Sequence, residues 1–166
     1  MTSASKTPDR AGDDDVWFRP LLNTDYVRGG RIHHSALTGK SPIAPPRRAD
    51  VPWKAETSGR LRSLVTDAVK DGDAQAAANA ERAKADGNGT SKIAFVGVIF
   101  EYVSVIRGWA DLQTDVFHTP TDDPAHADLV YQHDPPKLLE MRARSLLQER
   151  LRLITDADLR SGKPIA

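Results

Sequence analysis

The strongest hydrophobic pattern of this chain lies between Ser91 and Val116. Small or polar residues recur there at intervals of four, three, four and three, namely at Gly97, Glu101, Ser104, Gly108 and Asp111. This spacing makes one narrow stripe on a helix and does not fit the period of two of a strand. The Val and Ile residues between these positions favour a strand. The stripe persists over four turns, so it is given more weight and predicts a central helix that is covered on most sides.

Further helices are predicted on both sides of the central one. Apolar residues at i, i+3, i+4, i+7 and i+8 predict a helix over residues 57–70 that ends at Gly72. An alanine-rich segment, 73–86, predicts a minor helix with Asp73 as its N-cap. A third main helix is predicted over 135–153, because Pro135 suits a first helical position and leucines recur after it. The predicted fold class is therefore all-α, with three main helices and one minor helix.

Two segments are expected to lie outside this helical domain, which is assigned to residues 56–166. Residues 1–15 are small, polar and acidic, and are expected to be disordered. Residues 16–55 contain aromatic and aliphatic residues without a period, interrupted by proline and glycine. This pattern is interpreted as an extended interaction arm lying in a groove of another subunit. The alternative is a flexible tail.

The arm supplies the predicted partner contacts, because aromatic residues and arginines dominate binding hot spots. Residues 16–53 carry six Lys or Arg against two Asp or Glu, whereas residues 61–166 carry thirteen against sixteen. Arginine pairs well with acidic groups on a partner. The residues predicted to bind the partner are Trp17, Phe18, Arg19, Tyr26, Arg28, Arg31, Arg47, Arg48 and Trp53.

Overall composition restricts the class of protein. Lys and Arg together number 23, as do Asp and Glu, so the net charge of zero provides no general attraction to nucleic acid or to an anionic membrane. The chain has no cysteine, which excludes disulfides and thiolate metal sites. The N-terminus lacks an apolar signal region, and Glu101 and Arg107 interrupt the longest apolar stretch. A cytoplasmic protein of bacterial style, without membrane association, is expected.

Three motifs could carry chemistry, and each is incomplete. Residues 38–41, Thr-Gly-Lys-Ser, match the end of a phosphate loop, but the required earlier glycine is replaced by His34. His118, His126 and His133 with their neighbouring aspartates lack the spacing of a metal site, and a solvated acidic loop over 117–135 is preferred. The final helical segment, 156–160, is too short and acidic to serve as a DNA recognition helix. No catalytic residue, cofactor site or metal site is predicted in this chain.

The stretch from Leu146 to Leu159, LLQERLRLITDADL, resembles a phrase of the nitrile hydratase and thiocyanate hydrolase family. In that family a helix of this kind closes the helical part of the non-metal, β-type subunit. A looser likeness is to the small helical γ subunit of soluble diiron monooxygenases. Both resemblances imply a non-catalytic helical subunit, with any metal held by the partner.

These observations lead to one functional hypothesis. The chain is expected to be an accessory subunit of a multi-subunit, metal-containing enzyme, and to join larger subunits in a hetero-oligomer through its N-terminal arm. The alternative from another class is a stand-alone adaptor or a nucleic-acid-associated regulator that uses the basic arm. An enzyme active on its own is the least favoured, because no catalytic constellation supports it.

Overall fold

The computed structural model describes residues 9–33, 35–38, 43–44, 55–131 and 137–166. Within these ranges the fold is mainly β, so the predicted all-α class is wrong. The strands are β1 (Asp9–Arg10), β2 (Val16–Asn23), β3 (Val27–Arg28), β4 (Arg31–Ile32), β5 (Ile43–Ala44), β6 (Ala55–Leu61), β7 (Ile93–Tyr102), β8 (Asp115–His118), β9 (His126–Tyr131) and β10 (Arg152–Thr155). The helices are α1 (Ser35–Thr38), α2 (Ala68–Ala85), α3 (Val103–Arg107), α4 (Lys137–Arg150) and α5 (Asp156–Arg160).

Eight of the described strands form one antiparallel sheet. Seven follow the order β1-β8-β9-β6-β2-β7-β10, β5 pairs with β6 beside them, and β3 and β4 form a separate hairpin. Both faces of the sheet are buried. Trp17, Ile99 and Leu129 belong to a core that includes Leu147 of α4, whereas Phe18 belongs to a second core against α2. Neighbouring residues of β2 therefore enter opposite cores, as the alternation of a strand requires.

The predicted central helix is replaced by β7, the short helix α3 and β8. The residues of its polar stripe have separate structural roles. Gly97 has φ +152°, and a Cβ there would lie 2.5 Å from the carbonyl oxygen of Ile154 on β10, so this position needs glycine. Glu101 pairs with Arg152, and Asp111 pairs with Arg150. The helical spacing was coincidental, and the strand preference of the Val and Ile residues correctly indicated the structure.

The helix predicted over 57–70 is also wrong. Its first part is β6, and the helix begins only at Ala68, where the Asp67 carboxylate accepts hydrogen bonds from Val69 N and Lys70 N. The alanine-rich helix predicted over 73–86 is confirmed as the larger part of α2, but the predicted N-cap is wrong, because Asp67 caps the helix and Asp73 lies within it. Ala68, Gly72 and Ala76 form the buried side of α2. These small residues allow close approach to the sheet, because a Cβ at position 72 would lie 2.4 Å from the Phe95 ring.

Gly72→Ala is expected to lower the free energy of unfolding by about 1–3 kcal/mol, because the added methyl overpacks the contact with Phe95. Helix propensity alone predicts the opposite, an increase in the free energy of unfolding of about 1 kcal/mol. Urea denaturation of Gly72→Ala, Phe95→Val and the double variant measures the contact. The smaller Val side chain should accommodate the methyl, so the double variant should be more stable than the sum of the single effects. Strictly additive effects would contradict this packing.

The C-terminal region combines correct and incorrect predictions. The segment expected to be a solvated loop, 117–135, contains β9 and part of β8, which pair with each other. The helix expected over 135–153 ends at Arg150, and β10 follows it. The sequence of Thr155 followed by 156–160 predicts a capped final turn, and this is confirmed, since Thr155 Oγ1 accepts a hydrogen bond from Asp158 N at the start of α5. A strand therefore separates α4 from α5, which differs from a helix-turn-helix.

The N-terminal segment predicted to be an arm forms part of the sheet. β2 lies between β6 and β7, and its pairing with β7 extends from Val16 to Asn23. Residues 9–10, within the predicted disordered tail, pair with β8 as β1. Arg107 holds this end of the chain by two hydrogen bonds of 2.5 Å. Its Nη1 donates to Asp13 Oδ1, and its Nη2 donates to the carbonyl oxygen of Ala11. No helix in the described ranges has the length and apolar character needed to cross a membrane.

Candidate functional site

A groove next to the β3–β4 hairpin is the first candidate site. It has a volume of about 610 Å³ and is called the hairpin groove. Its lining residues are Gly30, Arg31, Ile32, Ser145, Gln148, Glu149, Leu151 and Leu153. Gln148 Nε2 donates a hydrogen bond to the carbonyl oxygen of Ile32 at 3.0 Å, which attaches the hairpin to α4. The groove thus combines an apolar floor with an exposed arginine and an exposed glutamate on its walls.

One strand of the main sheet ends at this groove. In the described part of the chain β10 pairs only with β7, so its other edge has backbone N–H and C=O groups without a partner strand. Leu153 belongs to both β10 and the groove wall. An unpaired strand edge can accept an extended segment of another chain by main-chain hydrogen bonding. The geometry is therefore suited to binding a peptide segment.

The second candidate site is a polar network around β6, which is called the β6 network. Its members are Arg19, Thr57, Ser58, Thr119, His126 and Asp128. It begins where β2 and β6 separate, because their pairing ends at Phe18 and Arg60. Arg19 spans this separation and donates through Nη1 to Ser58 O at 2.8 Å and to Thr57 Oγ1 at 3.3 Å. Burial lowers the pKa of the Arg19 guanidinium, and the nearby Tyr26 phenol acts in the opposite direction.

On the other side of β6 the network continues around a buried carboxylate. Asp128 is 3 % exposed, and its Oδ1 and Oδ2 accept hydrogen bonds from Ser58 Oγ at 3.2 Å and Thr119 Oγ1 at 2.9 Å. Strand register explains this convergence, since Phe117, Asp128 and Ser58 lie side by side on β8, β9 and β6. The two hydroxyl donors stabilise the buried carboxylate.

His126 completes the network. Its Nδ1 lies 2.8 Å from the carbonyl oxygen of Thr119, so the Nδ1 proton is donated to that acceptor. Its Nε2 lies 3.8 Å from Asp128 Oδ1, which is beyond hydrogen-bonding distance. Ser58 Oγ bonds to Asp128, which differs from the serine–histidine contact of an activated nucleophile. The arrangement orders the β8–β9 hairpin against β6 by hydrogen bonding.

Arg60 connects this region to α2. Its guanidinium contacts Asp71 of α2, with Nε 2.9 Å from Oδ2, and both oxygens of Asp123 in the β8–β9 connection. Burial raises the pKa of the Asp71 carboxyl, and attraction to Arg60 acts in the opposite direction. The three charged groups therefore join a helix and a hairpin that lie far apart in the sequence.

The predicted partner-binding residues are found in different environments. Trp17 and Phe18 are both 0 % exposed and lie in opposite cores, so a partner cannot reach them in this fold. Tyr26 is partly buried against the first core, and Arg19 belongs to the β6 network. Arg28 and Arg31 face each other across the exposed hairpin, and Arg31 lines the hairpin groove. Arg47, Arg48 and Trp53 lie outside the described residues.

The motifs with incomplete signatures are also located. His118 and His126 lie on β8 and β9, and His133 is outside the described ranges. Among the described residues, no three His, Cys, Asp or Glu side chains are grouped as a metal site requires. Of the phosphate-loop match, only Thr38 is described, and it is the last residue of α1.

Sequence reasoning missed Ser58 and Thr119 as members of a polar site. A signal for Ser58 was present, because Glu56, Ser58 and Arg60 alternate with Thr57, Gly59 and Leu61 in the period of a strand. Recognition of β6 would have placed Ser58 on the same face as the charged residues Glu56 and Arg60. Thr119 had no comparable signal, since it follows β8 and reaches Asp128 only through the hairpin.

Comparison with models of known protein families, with curated proteins and with solved structures found no match. The resemblance of the 146–159 segment to a nitrile hydratase phrase therefore stays a prediction. Its implication of a helical subunit is wrong, because the described chain is mainly β.

Proposed function

We propose that this chain is a cytoplasmic, non-catalytic accessory subunit that joins a larger, metal-containing enzyme subunit through its hairpin groove. The observation that carries the proposal is the unpaired edge of β10 beside the groove. The partner would add an extended segment to this edge, with main-chain hydrogen bonds for affinity and side-chain contacts for selectivity. This assignment moves the predicted interface from an N-terminal arm to the sheet edge.

The two arginines of the hairpin favour an acidic residue on the part of that segment next to them, whereas Glu149 lines another part of the groove. Arg28 and Arg31 are opposite each other on the hairpin and are exposed. Arg28 Nη2 lies 3.7 Å from Asp25 Oδ1, whereas Arg31 lines the groove. An apolar residue on the same segment would contact Ile32 and Leu153. The expected partner is therefore an extended segment with alternating acidic and apolar residues.

Arg31→Glu is expected to weaken the complex at least about tenfold, which corresponds to about 1.4 kcal/mol, because the reversed charge repels the acidic segment. The chain is isolated from its own host by gentle affinity purification, and the mass of the complex is measured by light scattering. Arg82→Glu is the matched control. It makes the same charge change on an exposed position of α2, which packs on the opposite face of the sheet.

A defined complex well above 18.2 kDa that is lost in Arg31→Glu and kept in Arg82→Glu would support the proposal. A monodisperse monomer from the native host would overturn it, as would equal recovery of the partner by both variants. Recovery of nucleic acid with a steep loss of binding at higher salt would favour the regulator instead.

A further inference from the structure

Arg19 differs from four other arginines of the described residues. Arg60, Arg107, Arg150 and Arg152 each contact at least one carboxylate. Arg19 contacts only two neutral acceptors, Ser58 O and Thr57 Oγ1, and both contacts use Nη1. In the described part of the chain, its Nε and Nη2 have no hydrogen-bond partner. The Arg19 side chain is partly buried and has no carboxylate partner among the described residues. Partial withdrawal of a cation from water without a counter-charge is costly, so this position favours an anion.

Arg19 is one of the residues that line a pocket of about 230 Å³. Its polar walls come from Arg19, Asn23, Tyr26 and Asn79, and the rest is apolar. Asn23 Oδ1 already accepts a hydrogen bond from Asp25 N at 2.8 Å, so its amide group remains as a donor. The Tyr26 hydroxyl and the Asn79 amide are further donors. With about 30 Å³ per water molecule in the liquid, the volume accommodates several waters or one small oxyanion.

Asp25, next to Tyr26 in the chain, does not neutralise this pocket. Asp25 is paired outside it, with Lys92 Nζ at 2.8 Å and Arg28 Nη2 at 3.7 Å. These partners, the Lys92 hydrogen bond above all, hold the pKa of Asp25 below its ordinary value. The charge of Asp25 is thus compensated, while that of Arg19 is not.

We propose that the Arg19 pocket binds a small oxyanion, either a phosphate group or a carboxylate. Arg19 supplies the charge and a two-nitrogen donor edge, and Asn23, Tyr26 and Asn79 supply neutral donors. Planar guanidinium edges bind both oxyanions through paired hydrogen bonds. This site lies apart from the hairpin groove and does not depend on the proposed partner.

The test follows the Arg19 side-chain Nε–H and the Asn79 amide by ¹⁵N–¹H NMR of the full chain. Sodium phosphate and sodium acetate are titrated separately, and sodium chloride at equal ionic strength is the reference. Saturable shifts with a Kd of about 1 mM or tighter are expected for at least one oxyanion. The stronger of the two responses identifies the phosphate or the carboxylate class.

Arg19→Gln should abolish the saturable response at Asn79, whereas Arg28→Gln, an exposed neighbour on the hairpin, should retain it. Since Arg19→Gln can also disturb folding, Asn79→Leu is the second variant and should weaken binding severalfold with the fold intact. Wild-type shifts that match the chloride reference would overturn the proposal. So would an unchanged Kd in a folded Arg19→Gln or in Asn79→Leu.

Discussion

Deletion of residues 1–53 is expected to abolish folding. The deletion removes β2, which lies between β6 and β7, so the two remaining parts of the sheet lose their common neighbour. It also removes Trp17, Phe18 and Leu21, each 0 % exposed. Burial of one such side chain contributes about 1.5–3 kcal/mol, and a whole domain has a net stability of only about 5–15 kcal/mol. The lost strand pairing and burial together exceed what the remaining chain can tolerate.

Circular dichroism and urea denaturation of the truncated chain measure this effect. We expect no cooperative unfolding transition and no native strand signal. Deletion of residues 1–8 is the control, because it leaves every described residue in place and should retain the transition. The arm hypothesis predicts the opposite result, namely a folded body that has lost only its partner. A cooperative transition in the 1–53 deletion would therefore favour that hypothesis over the sheet.

Trp17→Ala is expected to lower the free energy of unfolding by about 3–5 kcal/mol. The indole is fully buried, and its Nε1 donates a hydrogen bond to the carbonyl oxygen of Ala127 at 3.3 Å. Gly59 leaves room for the ring, since a Cβ there would lie 2.4 Å from two indole atoms. Truncation creates a cavity between β2, β6 and β9 and leaves the Ala127 carbonyl without its donor.

Urea denaturation compares Trp17→Ala with Trp109→Ala. Trp109 is only partly buried, and its ring centroid lies 5.7 Å from Arg150 Cζ. Its replacement should therefore lower the free energy of unfolding by less than half as much. A partner-anchor role for Trp17 predicts unchanged stability and weaker complex formation. Equal stability of the wild type and Trp17→Ala would thus restore Trp17 as a surface contact.

The error over residues 91–116 has a physical explanation. A stripe of small and polar residues was interpreted as one helical surface. In the structure, several of these residues contact residues elsewhere in the chain. Gly97 makes room for Ile154, and Glu101 forms an ion pair with Arg152. These partners are more than fifty residues away, so no local window contains the information. The high frequency of Val and Ile in the same stretch was the local signal that agreed with the fold.

The candidate sites were predictable only in part. Arg19 and Arg31 were predicted as partner contacts, and in the structure Arg19 lines a small pocket while Arg31 lines the hairpin groove. Their surroundings could not be predicted, because each cavity is formed by segments distant in sequence. Arg31 lines the groove together with Gln148 and Leu153, and Arg19 lines the pocket together with Asn79 of α2. The burial of Trp17 and Phe18 was not predicted, because their own strand was not recognised.

Local features of this chain follow from the sequence. The alanine-rich part of α2 and the Thr155 cap of α5 are correctly predicted, because helix propensity and capping depend on residues within a few positions. The identity and order of the strands were decided by tertiary contacts. β2 pairs with β6 and with β7 through main-chain hydrogen bonds, and the paired residues are about forty and about eighty positions apart in the sequence. Strands gain their stability from such distant partners. The hairpin groove and the Arg19 pocket exist because of that arrangement.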